Sequence, residues 1–257
     1  MCRLLGYATS APTTLATLLG EADLAEFTEL SVKHGDGWGT ARAAAGGAVE
    51  VEKAPDSARR SEHFRQVAHA RPADLAMVHL RWATLGLPVV ARNAHPFTDG
   101  RLAFAHNGSI APPSALDPLL TDRARQQRQG DTDSERFFLA VLSRLPEGEL
   151  ADDQVARAYA DTVRSITQTV PLRSLNSMLL SPTQLHAVCC FDPGAQEREA
   201  EPDYYRLRYR TAPGSVLVSS SGWGSGWAEL GNGQMLTIDR ATLATTVRAL
   251  EPAAAAS

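Results

Sequence analysis

Two helical segments follow one another in the middle of this chain, with strand-like segments on both sides. That order restricts the fold more than any other feature. Thr132-x-x-Glu135 reads as a capping box ahead of the apolar run Phe137 to Leu142, so a helix starts there. Val155, Tyr159, Val163 and Ile166 recur at helical spacing and predict a second helix. Before this pair, Cys2 to Tyr7, Leu75 to Trp82 and Arg101 to Ala105 read as strands, and Thr40 to Ala54 as a hairpin around Gly46-Gly47. After it come Asn176 to Leu180, Gln184 to Phe191, Tyr204 to Tyr209, Val216 to Ser219 and Met235 to Ile238. Further helices are expected over Thr13 to Leu30, broken near Gly20, and over Asp56 to Ala70, stopping at Arg71-Pro72. The proline-rich, then polar stretch Ala111 to Gly130 reads as a long functional or covering loop. Strands, helices and strands again predict an α+β fold of two antiparallel sheets covered by helices.

The 257 residues suit one large domain or two small ones, and 44% hydrophobic with 21% charged residues excludes a wholly disordered chain. The net charge is −4, and of 25 basic residues only Lys33 and Lys53 are lysines. Positive charge is not clustered, so no nucleic-acid partner is expected. No apolar run reaches the roughly 20 residues of a spanning helix. Met1 to Tyr7 lacks the basic start and apolar stretch of a signal peptide, so a cytoplasmic protein without membrane contact is expected. Cys2 stands alone, while the adjacent Cys189 and Cys190 read as core residues, so no disulfide framework is implied. The seven histidines show no metal-ligand spacing, and no phosphate-cradling glycine loop appears. Neither a metal nor a cofactor is therefore expected. Ala253 to Ser257 reads as a frayed, disordered tail.

The chemistry starts at Cys2. Removal of Met1 would make it the first residue, and its α-amino group, with a reference pKa of about 7.7–8.0, could serve as base for its own sulfur. A buried structural cysteine is the competing reading. In His106-Asn107-Gly108 an asparagine amide and a glycine N–H could form an oxyanion hole. The same residues could equally make a strand-ending turn. Arg81 could clamp a carboxylate or form a structural ion pair. Asp133 could accept from a substrate ammonium or serve the helix start. Trp223 and Trp227 on a glycine-serine loop could wall a leaving-group pocket or anchor a turn.

Taken in order, these stretches resemble one family. Met1-Cys2, Gly35-Asp36-Gly37-Trp38-Gly39, Arg81-Trp82-Ala83-Thr84, Asn93-Ala94-His95-Pro96-Phe97, Ala105-His106-Asn107-Gly108 and Asp131-Thr132-Asp133-Ser134-Glu135 look like a class II glutamine amidotransferase, an N-terminal-nucleophile (Ntn) hydrolase. The resemblance implies a four-layer α-β-β-α sandwich occupying residues 2–252 as a single domain. It implies that Cys2 attacks the side-chain amide of a small γ-glutamyl substrate and forms a γ-glutamyl thioester. Asn107 and Gly108 would hold the oxyanion. Arg81, with Thr84, would hold the α-carboxylate, and Asp133 the α-ammonium. His95 and His106 would be scaffolding. Leu85 stands where synthase-linked members often carry histidine, and the Gly37-Trp38-Gly39 signature is similar to the stand-alone subgroup that includes the γ-glutamyl hydrolase of ergothioneine biosynthesis. Trp38 and Trp223 are candidate walls of a leaving-group pocket. Two functions follow: a stand-alone γ-glutamyl amide hydrolase, or a glutaminase subunit that hands ammonia to a separate synthase partner.

Overall fold

A computed structural model describes residues 2–44, 46–83, 86–197 and 203–250. Strand β1 (Arg3–Thr13) opens the fold, and helices α1 (Leu15–Leu19) and α2 (Glu21–Glu29) meet at Gly20. Strands β2 (Trp38–Ala43) and β3 (Val49–Ala54) form the hairpin, and α3 (Glu62–Ala70) leads into β4 (Ala73–Leu80). The two-residue β5 (Phe97–Thr98) precedes β6 (Ala103–Ile110). Helices α4 (Asp122–Gln127), α5 (Asp133–Leu142) and α6 (Asp152–Thr169) follow, then β7 (Leu172–Leu180), β8 (Gln184–Cys189) and α7 (Pro193–Glu197). Strands β9 (Leu207–Ala212), β10 (Ser215–Ser219), β11 (Ala228–Leu230), β12 (Gln234–Asp239) and β13 (Thr245–Ala249) complete the order.

One sheet has seven strands in the order β11-β9-β10-β1-β4-β2-β3, and the other has six in the order β13-β12-β8-β7-β6-β5. Neighbouring strands are antiparallel throughout both. Side chains alternate across each strand, which sorts the core into three apolar layers. Leu4, Ala8, Leu75, Met77 and Val218 meet Ala105, Met178, Leu180, Leu185 and Ala187 between the sheets. Leu5, Tyr7, Val78 and Leu217 face outward onto Phe27 and Phe64 of the first helical layer. Phe104, Leu175, Leu179 and Val188 face Phe137, Tyr159 and Ile166 of the second. Gly6 lets the sheets approach: a Cβ there would lie 2.6 Å from Leu185 Cδ2. The four-layer α-β-β-α sandwich of two antiparallel sheets is the expected fold.

Four local expectations change. β6 does not stop at Ala105. His106, Asn107 and Gly108 pair with Ser177, Asn176 and Leu175, so they are strand and not a turn. The stretch 111–130 is no open loop. It holds a 3-10 helix, Pro113–Leu119, and then α4, because Leu120 and Ala124 find Leu139 and Ala140 to pack against. The capping box is half formed. Thr132 accepts the Glu135 N–H at 3.0 Å, but the Glu135 carboxylate turns to the N–H groups of Gln129 and Gly130, both at 2.7 Å. The strand expected from Tyr204 begins at Leu207, since Tyr204 and Tyr205 pack with Ala195 and Phe191 instead. The expected tail, 253–257, lies outside the described residues.

Candidate active site

The start of β1, the end of β4, the late part of β6 and the first turn of α5 converge on one cleft. Arg3 pairs with Leu80, which sets Cys2 and Arg81 side by side just past the end of the ladder. Cys2, Arg81, Gly108 and Asp133 all line this cleft, together with Trp82 and His95.

The Cys2 thiol is 7% exposed. The Trp82 N–H donates to Sγ at 3.5 Å, and the thiol donates to the Trp82 carbonyl at 3.7 Å. Burial pushes the thiol pKa up, against the opposing pull of that N–H and of the Arg81 charge. At neutral pH this sulfur carries its proton and needs a base to become a nucleophile.

The glycine-rich turn is a splint for Arg81. The Arg81 N–H donates to Gly37 O at 2.8 Å, the Asp36 N–H to Arg81 O at 3.0 Å, and the Ala83 N–H to Asp36 Oδ2 at 2.8 Å. Gly37 has φ +145°, and a Cβ there would lie 3.0 Å from Ala54 O. The Arg81 side chain is 3% exposed, and among the described residues it has no carboxylate at ion-pair distance. Among the described residues its Nη1 donates to Asp36 O alone, at 3.4 Å. A buried guanidinium with a single weak bond is set up to receive an anion.

Asp133, the first residue of α5, accepts the Ile110 N–H on Oδ2 at 2.7 Å. His106 decides what reaches its other oxygen. His106 Nε2 lies 2.9 Å from Ser174 O, and a carbonyl can only accept, so that nitrogen carries the proton. Burial pushes the His106 pKa down, so the ring is neutral and Nδ1 accepts the Ser134 hydroxyl at 2.9 Å. Ser134 Oγ also lies 3.5 Å from Asp133 Oδ1, but its proton goes to the nearer His106 Nδ1, which leaves Oδ1 able to accept from a ligand cation. With both ring nitrogens engaged, His106 is a strut between α5 and β7.

Asn107 is fully buried, and its Nδ2 and Oδ1 have no hydrogen-bond partner. A buried amide left unsatisfied costs roughly 1–3 kcal/mol; an oxyanion would accept from Nδ2 but not satisfy Oδ1, and Asn107 is not among the residues that line the cleft. Gly108 is required by contact, since a Cβ would lie 1.9 Å from Ser174 O.

Trp38 and Trp223 do not line this cleft. Trp38 is in the outer core, with Nε1 donating to Asp56 Oδ1 at 2.9 Å and the ring edge-on to Phe64. Trp223 packs on Phe27, 6.1 Å between centroids. Both belong to the apolar layer under α2 and α3, so the expected leaving-group wall is corrected. Thr84 and Leu85 lie outside the described residues. Residues not singled out as ligands, Trp82, Asn93 and Ser134, also line the cleft, and each stands inside a quoted motif. Their signal was position beside Arg81, His95 and Asp133. Among the described residues no His/Cys/Asp/Glu group could hold a metal ion, and no helix is long and apolar enough to cross a membrane.

Residues 1–192 match the family model for class-II glutamine amidotransferases. The chain is 31% identical over 148 residues to the glutamine–fructose-6-phosphate aminotransferase (isomerizing) of Gluconobacter oxydans, a match covering 58% of this chain and 22% of that protein. The chain thus spans under a quarter of that relative's length. Among solved structures it superposes on a glutamine aminotransferase class-II domain protein from Silicibacter pomeroyi with a TM-score of 0.65 and 22% identity, covering 96% of this chain and 99% of that one. It also superposes on the glutamine phosphoribosylpyrophosphate amidotransferase of B. subtilis with a TM-score of 0.65 and 15% identity, covering 97% of this chain and 49% of that one. At these identities the two superpositions speak to the fold alone.

Proposed function

The chain belongs to the class-II glutamine amidotransferases, and on that premise we propose that it is a stand-alone γ-glutamyl amide hydrolase with Cys2 as nucleophile. One observation carries this reading: a buried thiol, a buried guanidinium with no carboxylate at ion-pair distance among the described residues, and a carboxylate with one oxygen held only by a long contact to Ser134 share a single cleft. A zwitterionic amino-acid head group needs one cation and one anion, and acyl transfer needs a nucleophile beside them.

In this reading Met1 is removed and the freed Cys2 amine takes the thiol proton. The sulfur attacks the amide carbon, and the Asn107 amide with the Gly108 N–H holds the oxygen as it becomes negative. Arg81, helped by Thr84, holds the substrate α-carboxylate, and Asp133 Oδ1 its α-ammonium. The C–N bond breaks as the Cys2 ammonium returns its proton to the departing nitrogen, leaving a γ-glutamyl thioester and a free amine or ammonia. Water, deprotonated by the same amine, attacks the thioester and releases glutamate and the thiol. Residues 2–252 act as one domain in the cytoplasm, with no metal or cofactor in any step.

Arg81→Ala is expected to lower kcat/KM for γ-glutamyl amides by about 10- to 100-fold, the weight of a charge-assisted pair. Amides lacking the α-carboxylate should lose far less. Equal loss on both would remove Arg81 from the head-group site.

A glutaminase subunit serving a synthase is the second reading, and the match to a small part of a much longer aminotransferase favours it. Assays of the purified protein on glutamine and on a panel of γ-glutamyl amines separate the two. Turnover of the amines without a partner supports the hydrolase. Glutaminase activity that appears only with a synthase added overturns it.

A further inference from the structure

Lys53 is one of only two lysines among 25 basic residues. It lies in β3, an edge strand of the seven-stranded sheet. Val49 and Val51 pack into the core between the sheets, and alternation along the strand puts Lys53 on that same inward side. Glu50 and Glu52 lie on the other side, where both pair with Arg42. Lys53 Nζ donates to Ala94 O at 2.7 Å and to Pro96 O at 3.1 Å, one carbonyl on either side of His95. It also sits 5.3 Å from the centroid of the Phe97 ring. The 94–96 segment is pressed against the sheet here. A Cβ on Gly39, the β2 partner of Lys53, would lie 2.1 Å from His95 O.

Asn93 and His95 line the cleft with Cys2, Arg81 and Asp133, whereas Lys53 stands behind them. Both wall residues are buried, yet their side chains are weakly tethered. Neither ring nitrogen of His95 has a hydrogen-bond partner among the described residues. The ring packs against His79, 4.2 Å between centroids, and edge-on to Phe97 at 4.8 Å. Asn93 has long bonds, Nδ2 to Pro88 O at 3.3 Å and Oδ1 from the Asp131 N–H at 3.4 Å. The place of this wall is therefore set by its backbone. Among the described residues, the two bonds from Lys53 are what tie the 94–96 backbone to the seven-stranded sheet. Being charge-assisted, they are the strong kind.

We propose that Lys53 is a positioning residue for this reaction: through the Ala94 and Pro96 carbonyls its ammonium holds Asn93 and His95 where they wall the site of the γ-glutamyl group. This rests on the reading above, in which Cys2 turns over a γ-glutamyl amide, and adds a residue behind the cleft on which that turnover depends.

The clamp titrates. Burial pulls the Lys53 pKa down to about 8, against Glu135 in the first turn of α5, which favours the charged form. His95, the titratable group that the clamp holds, is neutral in this range because burial pushes its own pKa well down. Above about pH 8 the ammonium becomes an amine, and its bonds to the two carbonyls weaken.

The test follows kcat/KM for glutamine and γ-glutamylmethylamide from about pH 7 to about pH 9.5 in the wild-type protein and in Lys53→Met, with circular dichroism at each pH. At the lower pH, Lys53→Met is expected to be about tenfold less active, below the roughly 100-fold that a 1 Å displacement at an active site costs. The ratio should shrink to about threefold at the higher pH, since an uncharged donor keeps roughly half the strength of a charged one. Its midpoint should lie near the Lys53 pKa of about 8. The Cys2 amine and the substrate ammonium titrate alike in both proteins and leave the ratio unmoved. Lys53→Met as active as the wild type at the lower pH overturns the positioning role and leaves Cys2 as the nucleophile. So does a folded Lys53→Met whose deficit is the same at both pH values. A wild-type protein that turns over neither substrate overturns the functional reading, and the positioning role with it. Where Lys53→Met fails to fold, Lys53→Arg takes its place. Its guanidinium keeps its charge, so wild-type activity relative to Lys53→Arg should fall across about pH 8, and a constant ratio overturns the proposal.

Discussion

Replacing Cys2 with alanine is expected to lower turnover of every γ-glutamyl amide by roughly 10⁴-fold or more, the scale seen when an acyl-transfer nucleophile is removed. The fold should survive. Cys2 precedes β1, and among the described residues its sulfur hydrogen-bonds the Trp82 backbone through two long bonds, so the loss of stability should be about 1 kcal/mol. Cys2→Ser should be almost as inactive, because a hydroxyl has a much higher pKa and the same α-amine would have to deprotonate it. Steady-state rates with circular dichroism check both variants. Near-normal activity in Cys2→Ala would remove the thiol from the mechanism.

The second large effect is on stability in mild acid. His79, His95, His106 and His186 are all buried, and burial pushes each pKa down, to about 3 for His79 and His186. In the unfolded chain they return to about 6.5. The unfolded state then binds protons that the folded state refuses, so stability rises with pH over this window. The folded protein is at full strength above about pH 6.5 and weakens as the pH falls. Each of His79 and His186, neutral in the folded state, costs about 1.4 kcal/mol per pH unit below 6.5, hence about 2 kcal/mol each at pH 5 and ~4 together, and His95 and His106 act in the same direction. That is a large share of the stability of an ordinary domain, about 5–15 kcal/mol. Urea unfolding at pH 7.5 and at pH 5.0 should show the difference. His186→Gln, whose ring contacts Thr237 and Tyr159 away from the cleft, should flatten the pH dependence by about one proton. Equal stability at the two pH values would contradict this description of the core.

The layered fold was legible because its signal is repeated. Leu4 against Leu5, Leu75 against Val78 and Phe104 against Ala105 alternate between opposite faces, so period and order together predict two covered sheets. Edge elements carry no such signal. β13 is exposed at every position, and β5 has only two residues, so neither shows alternation. The stretch 111–130 misled because proline and polar residues hide Leu116, which joins the outer core, and Leu120 and Ala124, which pack on α5. At the cleft, Cys2, Arg81, Gly108 and Asp133 could be named because each belongs to a short motif of distinctive chemistry. Their convergence could not be read, since it depends on the Arg3–Leu80 register and on pairing of Gly108 with Leu175. Trp38 and Trp223 failed as site residues for a related reason. An indole beside glycines looks alike in a wall and in a core, and here Phe27 and Phe64 draw both rings inward.

The most direct test of Cys2 as an N-terminal nucleophile is intact and peptide mass spectrometry on protein quenched during turnover of a γ-glutamyl amide. The expected result is an active protein lacking Met1, with a glutamyl increment on the thiol of its first residue, Cys2, that disappears when substrate is exhausted. An active protein that retains Met1, or an increment on Cys189 or Cys190 in place of Cys2, would contradict it.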